Sequence, residues 1–414
     1  MDLKSGSLLW VETFKGGKRY SRVTANLTCD VVVVGGGISG AIISRELVEA
    51  GLDTILVDKR EIGQGSTSAN TGLLQFSNDK SLTSCMATYG EQEGLRYYQM
   101  CLEGINKVQA LAEECTVDPD FIKRDSLCFA SSVQDLPFLQ AEYKTLKKYG
   151  FRVDYLEQQD IERSFSFSKP GAIYAKGDAE INPFTFTIGL IDANEKKGLR
   201  VFENTEVVDH HEDEGEVTLL VKGDFTIRSK FVVYATGYEA QQMKRNKNAV
   251  LETSFAIATE PVSHFPGWKD RCLIWETARP YLYARTTADN RIVIGGLDET
   301  FIGKGQRERS LQSKRDQLLD SLRALFPGLE GIRADYYWGA VFGSTHDGFP
   351  IIGPQPEFPR SFFALNYGGN GTMYCTIAAE LIRDFIVKGS HPDAPIFSFF
   401  RSPKKSNKTK DENA

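Results

Sequence analysis

The chain has 414 residues, of which 41% are hydrophobic and 25% charged, the proportions of an ordinary globular protein long enough for two or three domains. A net charge of −6 argues against a general nucleic-acid partner. Seven scattered cysteines without a C-x-x-C pair point to reduced thiols in the cytoplasm, and no run reaches the roughly 18 apolar residues of a membrane span.

Residues 1–28 are polar with isolated aromatics, Trp10, Phe14 and Tyr20, and read as an extended arm against the body. Asp30–Gly40 follows, with four consecutive valines as a strand buried on both faces and then the G-x-G-x-x-G spacing of Gly35, Gly37 and Gly40. A helical pattern carries Ile43, Leu47 and Ala50 and stops at Gly51. Thr54–Val57 is the next strand, with Asp58 at its end, 18 residues after the last glycine. Each part of this unit has a mechanical reason: Gly35 for the tight turn, Gly37 for a pyrophosphate close to the backbone, Gly40 for close helix–strand packing. Free N–H groups at Ile38, Ser39 and Gly40 suit phosphate, and Asp58 suits ribose hydroxyls. The unit predicts a dinucleotide site.

Gly63–Gly72 is a loop rich in hydroxyls, including Thr67 and Ser68, and Gln75 follows it. Residues 86–115 read as a helix, 122–131 as a strand, 136–149 as a helix and 171–174 as a short strand. Asn182 and Pro183 match an N-cap and first helical position for a helix to about Lys197. Strands are expected at 201–202 and 206–208, and a hairpin at 216–228. His210–Glu214 before it reads as a solvated acidic turn in preference to a metal site. Phe231–Ala235 is a second buried strand, ending at Thr236 and Gly237. Residues 254–300 carry strand after strand and predict an antiparallel sheet. A helix at 311–326, the segment Tyr336–Gly353, and Gly368–Gly371 before a buried helix at about 373–387 complete the chain. The basic stretch from Arg401 reads as a disordered tail.

Three late features favour FAD over a nicotinamide: the small, turn-forming end Thr236-Gly237, the Asp347–Gly353 strand-to-loop, and a glycine loop before a buried helix. The N-terminal end of that helix suits the electron-rich edge of a flavin.

In this order the motifs resemble the D-amino-acid oxidase-like family of FAD-dependent oxidoreductases, with its glycine and sarcosine oxidase members, over roughly residues 29–390. The resemblance implies an α/β fold: a Rossmann-type FAD-binding domain plus a second α+β substrate domain on an antiparallel sheet. The boundaries expected are an arm (1–28), a discontinuous FAD domain (29–85, 151–250, 332–400), a substrate domain (86–150, 251–331) and a tail (401–414). It also implies oxidation of a C–N or C–O bond by hydride transfer to flavin. Residue by residue, it carries FAD contacts onto Gly35, Gly37, Gly40, Asp58, Lys59, Thr67, Ser68, Val207, Thr236, Gly237, Gly369, Asn370, Gly371 and Thr372. No cysteine occurs from Trp338 to Asp347, so non-covalent FAD is expected.

At the substrate end the chain departs from the family. The carboxylate-binding arginines of amino-acid-oxidising members are missing from Trp338–Gly343 and from the Gly368-Gly369 position. Arg285 remains as an anion clamp or a salt-bridge partner, His346 as a base or a loop residue, and Gln75 as a cavity wall or strand packing. Tyr281 and Tyr283 share a strand face, as a substrate wall or as sheet packing. The reading that follows is an FAD-dependent oxidoreductase of the amine or amino-acid oxidase type. It would act on a small molecule and pass electrons to oxygen or a carrier, and a monomer and an oligomer are equally compatible with it. The alternatives are a dehydrogenase of a hydroxy acid or polyol phosphate, and a flavin-binding protein acting through a partner.

Overall fold

A computed structural model of the chain describes residues 1–213, 215–243 and 246–402. Two sheets organise them. The first has eight strands among the described residues. Its central strand, Leu27–Val34, pairs in parallel with Thr54–Val57 on one side and with Phe225–Tyr234 on the other. Arg200–Phe202 and Phe358–Leu365 extend it in parallel at the two ends. Ile351–Gln355 closes one edge antiparallel, and the Val207–Glu212 and Val217–Val221 strands hang from the end of Phe225–Tyr234.

The valine run behaves as its composition requires. Val31 and Val33 pack under the helices, and Val32 packs on the opposite face with Ile55 and Val57. On the helical face lie Ile38–Glu49, Pro183–Glu195, Gly371–Lys388 and Glu91–Glu114. Asn182 caps the second of these, its side chain accepting from the Phe184 and Thr185 N–H groups.

The second sheet has ten strands in the path Lys4–Ser7, Ala334–Thr345, Ala249–Thr259, Ile292–Thr300, Tyr283–Thr286, Leu273–Glu276, Ile122–Phe129, Gly171–Glu180 and Leu73–Leu74, with Val153–Glu157 also on Gly171–Glu180. The helix Lys304–Leu325 covers one face, burying Leu311, Leu318 and Leu322 against Phe255, Ile257 and Ile294.

Sheet membership moves several expected boundaries. The arm is not merely laid on the surface: Lys4–Ser7 is an edge strand on Ala334–Thr345, and Leu9–Thr13 is a helix burying Leu9 and Trp10. Strands 153–157, 171–180 and 334–345 were expected beside the nucleotide-binding strands but pair within the ten-stranded sheet. The helix expected over 86–115 is two, Leu82–Tyr89 and Glu91–Glu114, broken at Gly90 with φ +110°, and the longer one packs on the nucleotide-binding helices. Leu273–Glu276 pairs in parallel with Ile122–Phe129, so the sheet is mixed where 254–300 predicted an antiparallel one. His210 and His211 lie within a strand, not a turn. Arg401 is also no part of a free tail. It pairs with Asp347 and donates to the Phe349 and Pro350 carbonyls, because the side chain is 95% buried and must place its donors. The rest of the expected tail, 403–414, lies outside the described residues.

Candidate active site

Between the sheets runs one long cavity of about 690 Å³. At one end its wall is the Gly35–Ser39 turn, Asp58, Lys59, Val207, His210, Thr236 and Gly237. In the middle are Thr67, Gly369, Asn370, Gly371 and Thr372. At the other end are Gln75, Asp79, Ser254, Trp275, Tyr281, Tyr283 and Asp298.

The helices Ile38–Glu49 and Gly371–Lys388 both begin at this cavity and are tied together there, Ser39 Oγ lying 3.0 Å from Cys375 Sγ and from Asn366 Nδ2. Two positive helix ends therefore converge on one space, an arrangement suited to anionic groups. Close packing makes this possible. A Cβ on Gly40 would stand 1.9 Å from the Gly35 carbonyl oxygen, so the helix can touch the strand end only without a side chain there. Gly40 is thus part of the turn but lies behind it, off the cavity wall.

Asp58 accepts from the Gly36 and Arg60 N–H groups, both at 2.7 Å. Burial raises its carboxyl above the usual range, while those two donors and the Arg60 guanidinium pull the other way. Lys59 reaches Glu239 at 3.0 Å, and Arg60 and the N-terminal ammonium meet the same carboxylate. Burial alone would raise Glu239, but these three cations bring it down to about 2. Thr67 Oγ1 takes the Ile38 N–H at 3.0 Å. Asn370 lines the wall but spends its amide on the Gln75 and Ser77 carbonyls and on Asn78, binding the two halves of the cavity together.

Ser68 turns away, its hydroxyl donating to the Gly65 carbonyl and accepting from Lys4. Arg285 is no anion clamp. It is 2% exposed, lies off the cavity wall, donates to the Thr71 and Ile181 carbonyls at 2.7 and 3.0 Å, and stacks on Trp10. A guanidinium buried by the arm satisfies itself on carbonyls and on the Glu180 carboxylate 3.8 Å away, the salt-bridge alternative, and has no face left for a ligand. His346 is exposed and off the cavity, its N–H bonded to the Asn248 carbonyl. Gln75, Tyr281 and Tyr283 do reach the wall, the two rings 5.9 Å apart.

Residues that sequence reasoning missed are Asp298, Asp79, Asn366 and Tyr234, joined on the wall by Trp275, for which core packing is the expected role, and by His210, expected in a solvated turn. Asp298 and Asp79 sit in no motif, whereas Tyr234 and Asn366 adjoin Thr236-Gly237 and the Gly368–Gly371 loop. Several buried polar atoms on this wall have no partner within the protein: Thr236 Oγ1, Asn366 Oδ1, Tyr234 OH, Gln75 Nε2, Trp275 Nε1 and Asp298 Oδ1. Folded proteins pair nearly all such atoms, so their concentration along one cavity marks a space shaped for a long polar ligand. A dinucleotide meets that requirement, with anionic groups for the two helix ends and a flat ring for either end of the cavity.

The sequence profile of the FAD dependent oxidoreductase (DAO) family matches residues 30–385. The chain belongs to this family. It is 26% identical to gamma-glutamylputrescine oxidoreductase of Escherichia coli over 383 residues, 89% of this chain and 85% of that one. It is 24% identical to glycine oxidase of Geobacillus kaustophilus over 375 residues, 86% and 92% of the two chains. The crystal structure of that glycine oxidase superposes with a TM-score of 0.77, at 23% identity over 91% of this chain and 99% of the other. The protein is an FAD-dependent oxidoreductase with a Rossmann-type FAD domain. No helix among the described residues is long and apolar enough to cross a membrane.

Proposed function

We propose that the enzyme oxidises a C–N bond of a small amine. Gly35, Gly37, Ser39, Asp58, Thr67, Val207 and Thr236 would hold the adenosine and pyrophosphate portion of FAD, and Gly369–Thr372 would lie along the flavin. When bound, FAD supplies a two-electron acceptor at the end of the cavity walled by Tyr281 and Tyr283.

The observation that carries this reading is the absence of histidine and lysine from that end among the described residues; the basic side chains of the wall, Lys59, Arg60 and His210, are all at the nucleotide end. Alcohol oxidation needs a base placed at the hydroxyl, a task for which this end offers the carboxylates Asp79 and Asp298 and none of the histidine such chemistry commonly uses. Amine oxidation needs only that the nitrogen arrive neutral, with its lone pair free to form the C=N bond as hydride leaves the carbon; water then hydrolyses the imine. What this chain's residues must do is exclude bulk water and orient the substrate, and the Trp275, Tyr281 and Tyr283 rings with the Gln75 amide are suited to both. The activities of both relatives, an oxidoreductase of a putrescine derivative and an oxidase of glycine, agree with C–N chemistry. Oxygen or an electron carrier would reoxidise the flavin, and seven unpaired cysteines suit a reducing cytoplasm.

The test is anaerobic bleaching of the purified holoenzyme. Amines should remove the flavin absorbance and release aldehyde or keto product, with hydroxy acids and polyol phosphates inert. Bleaching by a hydroxy acid alone would overturn the reading. FAD should appear in the supernatant after acid precipitation, as a non-covalent cofactor does.

A further inference from the structure

The substrate end of the cavity contains an acid, Asp298, that has no ion-pair partner among the described residues. Asp298 lies on Ile292–Thr300 where that strand carries a β-bulge: Phe255 faces Gly296 and Thr253 faces Glu299, so Ser254 stands opposite both Leu297 and Asp298. Leu297 takes φ +56° and packs into the core under the Lys304–Leu325 helix. The extra residue turns Asp298 to the cavity, as bulges do beside binding sites. Its Oδ1 is buried and has no partner.

The surroundings leave the charge uncompensated. The Ser254 hydroxyl supports the carboxylate, while the carboxylates of Glu252 and Asp79 oppose it. Lys314 is the cation on the far side, and its ammonium is taken by Glu299 and the Leu297 carbonyl. Arg279, over the outer face of Tyr281, spends its guanidinium on four backbone carbonyls. Tyr281 and Tyr283 stand beside the acid, with Trp275 6.3 Å from Tyr281. A Cβ on Gly295 would lie 2.3 Å from Tyr283 OH, so this glycine lets the phenol ring lie flat across the strand towards the same space. A carboxylate among aromatic faces is a receptor for an organic cation.

A carboxylate beside the reacting nitrogen would hold it as ammonium and block its oxidation. The charged group that meets Asp298 is therefore a different nitrogen from the one oxidised. We propose that Asp298 is the counter-ion of a second, protonated amine, and that the enzyme selects diamines over monoamines and over amino acids. The proposal rests on the C–N reading above and names the substrate class for it. It also accounts for the missing carboxylate-binding arginines, since a substrate without a carboxylate has no use for them.

The test uses the full-length FAD-loaded enzyme under anaerobic conditions. Flavin difference spectra are titrated with α,ω-diamines of three to five carbons, the matching monoamines, and the matching ω-amino acids in which carboxylate replaces the second amine. Wild type should bind its best diamine at least tenfold tighter than the monoamine, with the ω-amino acid weakest. Asp298→Asn should raise the diamine Kd at least tenfold and leave the monoamine Kd within twofold, at unchanged FAD content; Asp298→Glu should recover part of the loss. Burial raises the Asp298 carboxyl to about 6, so wild-type diamine affinity should fall as pH drops through that value, with the monoamine series and Asp298→Asn lacking the limb. An ω-amino acid that binds tightest, equal diamine and monoamine affinity in wild type, or no diamine binding would each overturn the proposal, even if a variant failed to hold FAD. Diamines that bind through Asp298 without bleaching the flavin would sink the C–N reading and keep the subsite. Bleaching by amines with the diamine Kd unmoved in Asp298→Asn would do the reverse.

Discussion

The two ends of the cavity solve opposite problems. At the nucleotide end, chemistry is delegated to backbone: helix N-termini, a glycine turn, and Asp58, whose two oxygens are each already held by an N–H. Charges there are compensated, as where Glu239 gathers Lys59, Arg60 and the N-terminal ammonium. Open polar atoms occur at both ends, Thr236 Oγ1 and Tyr234 OH at the first and Gln75 Nε2, Trp275 Nε1 and Asp298 Oδ1 at the second, but only at the second does one of them belong to a charged group. A cofactor that never leaves can be met by a rigid, neutralised socket. A substrate that must enter, be discriminated and depart is met by polar atoms whose pairing it completes.

Substitutions can break this contrast, and the largest effect should come from a residue serving neither end directly. Arg285→Ala strands the Thr71 and Ile181 carbonyls, weakens the environment of buried Glu180 and removes the stacking partner of Trp10. Loss of one partner from such a buried charged network costs about 3–5 kcal/mol. A marked fall in Tm with equal effects on anionic and neutral substrates is expected. An unchanged Tm with a raised KM for anions alone would restore the clamp role. Asp58→Ala should act on the cofactor only. Losing hydrogen bonds to a charged group costs about 1.5–3 kcal/mol, which is roughly 10–100-fold in FAD Kd. Retention measured by gel filtration and apoprotein titration should fall while the substrate ranking holds. His346→Ala, exposed and outside the cavity, should change stability by less than about 0.5 kcal/mol and leave the pH profile of turnover as it was; loss of an acid limb would return it to the site as a base.

The legibility of the two ends in the sequence differs for the same reason. Gly35, Gly37, Asp58 and Val34 lie within one local strand–turn–helix–strand unit, so spacing alone puts them together, and Gly369–Thr372 announce themselves as a glycine loop before a buried helix. Lone residues read for reactivity fared worse. Arg285 and His346 were singled out by side-chain type, and type does not say whether a guanidinium has already found carbonyls or whether a loop faces solvent.

Asp298 marks the boundary most clearly. Along Ile292–Thr300, Ile292 and Ile294 point into the core under the covering helix. Strict alternation would send residue 298 the same way, where a charge is untenable. The bulge at Leu297 breaks the parity, and nothing in Gly295–Asp298 alone reveals on which strand the extra residue falls. Local periodicity and glycine spacing therefore determined the nucleotide fold by themselves, because its constraints are steric and short in range. The substrate wall was decided only when distant segments met: a register shift against Ala249–Thr259, the arm helix Leu9–Thr13 closing over Arg285, and rings from Leu273–Glu276 and residues 281 and 283 brought beside one acid.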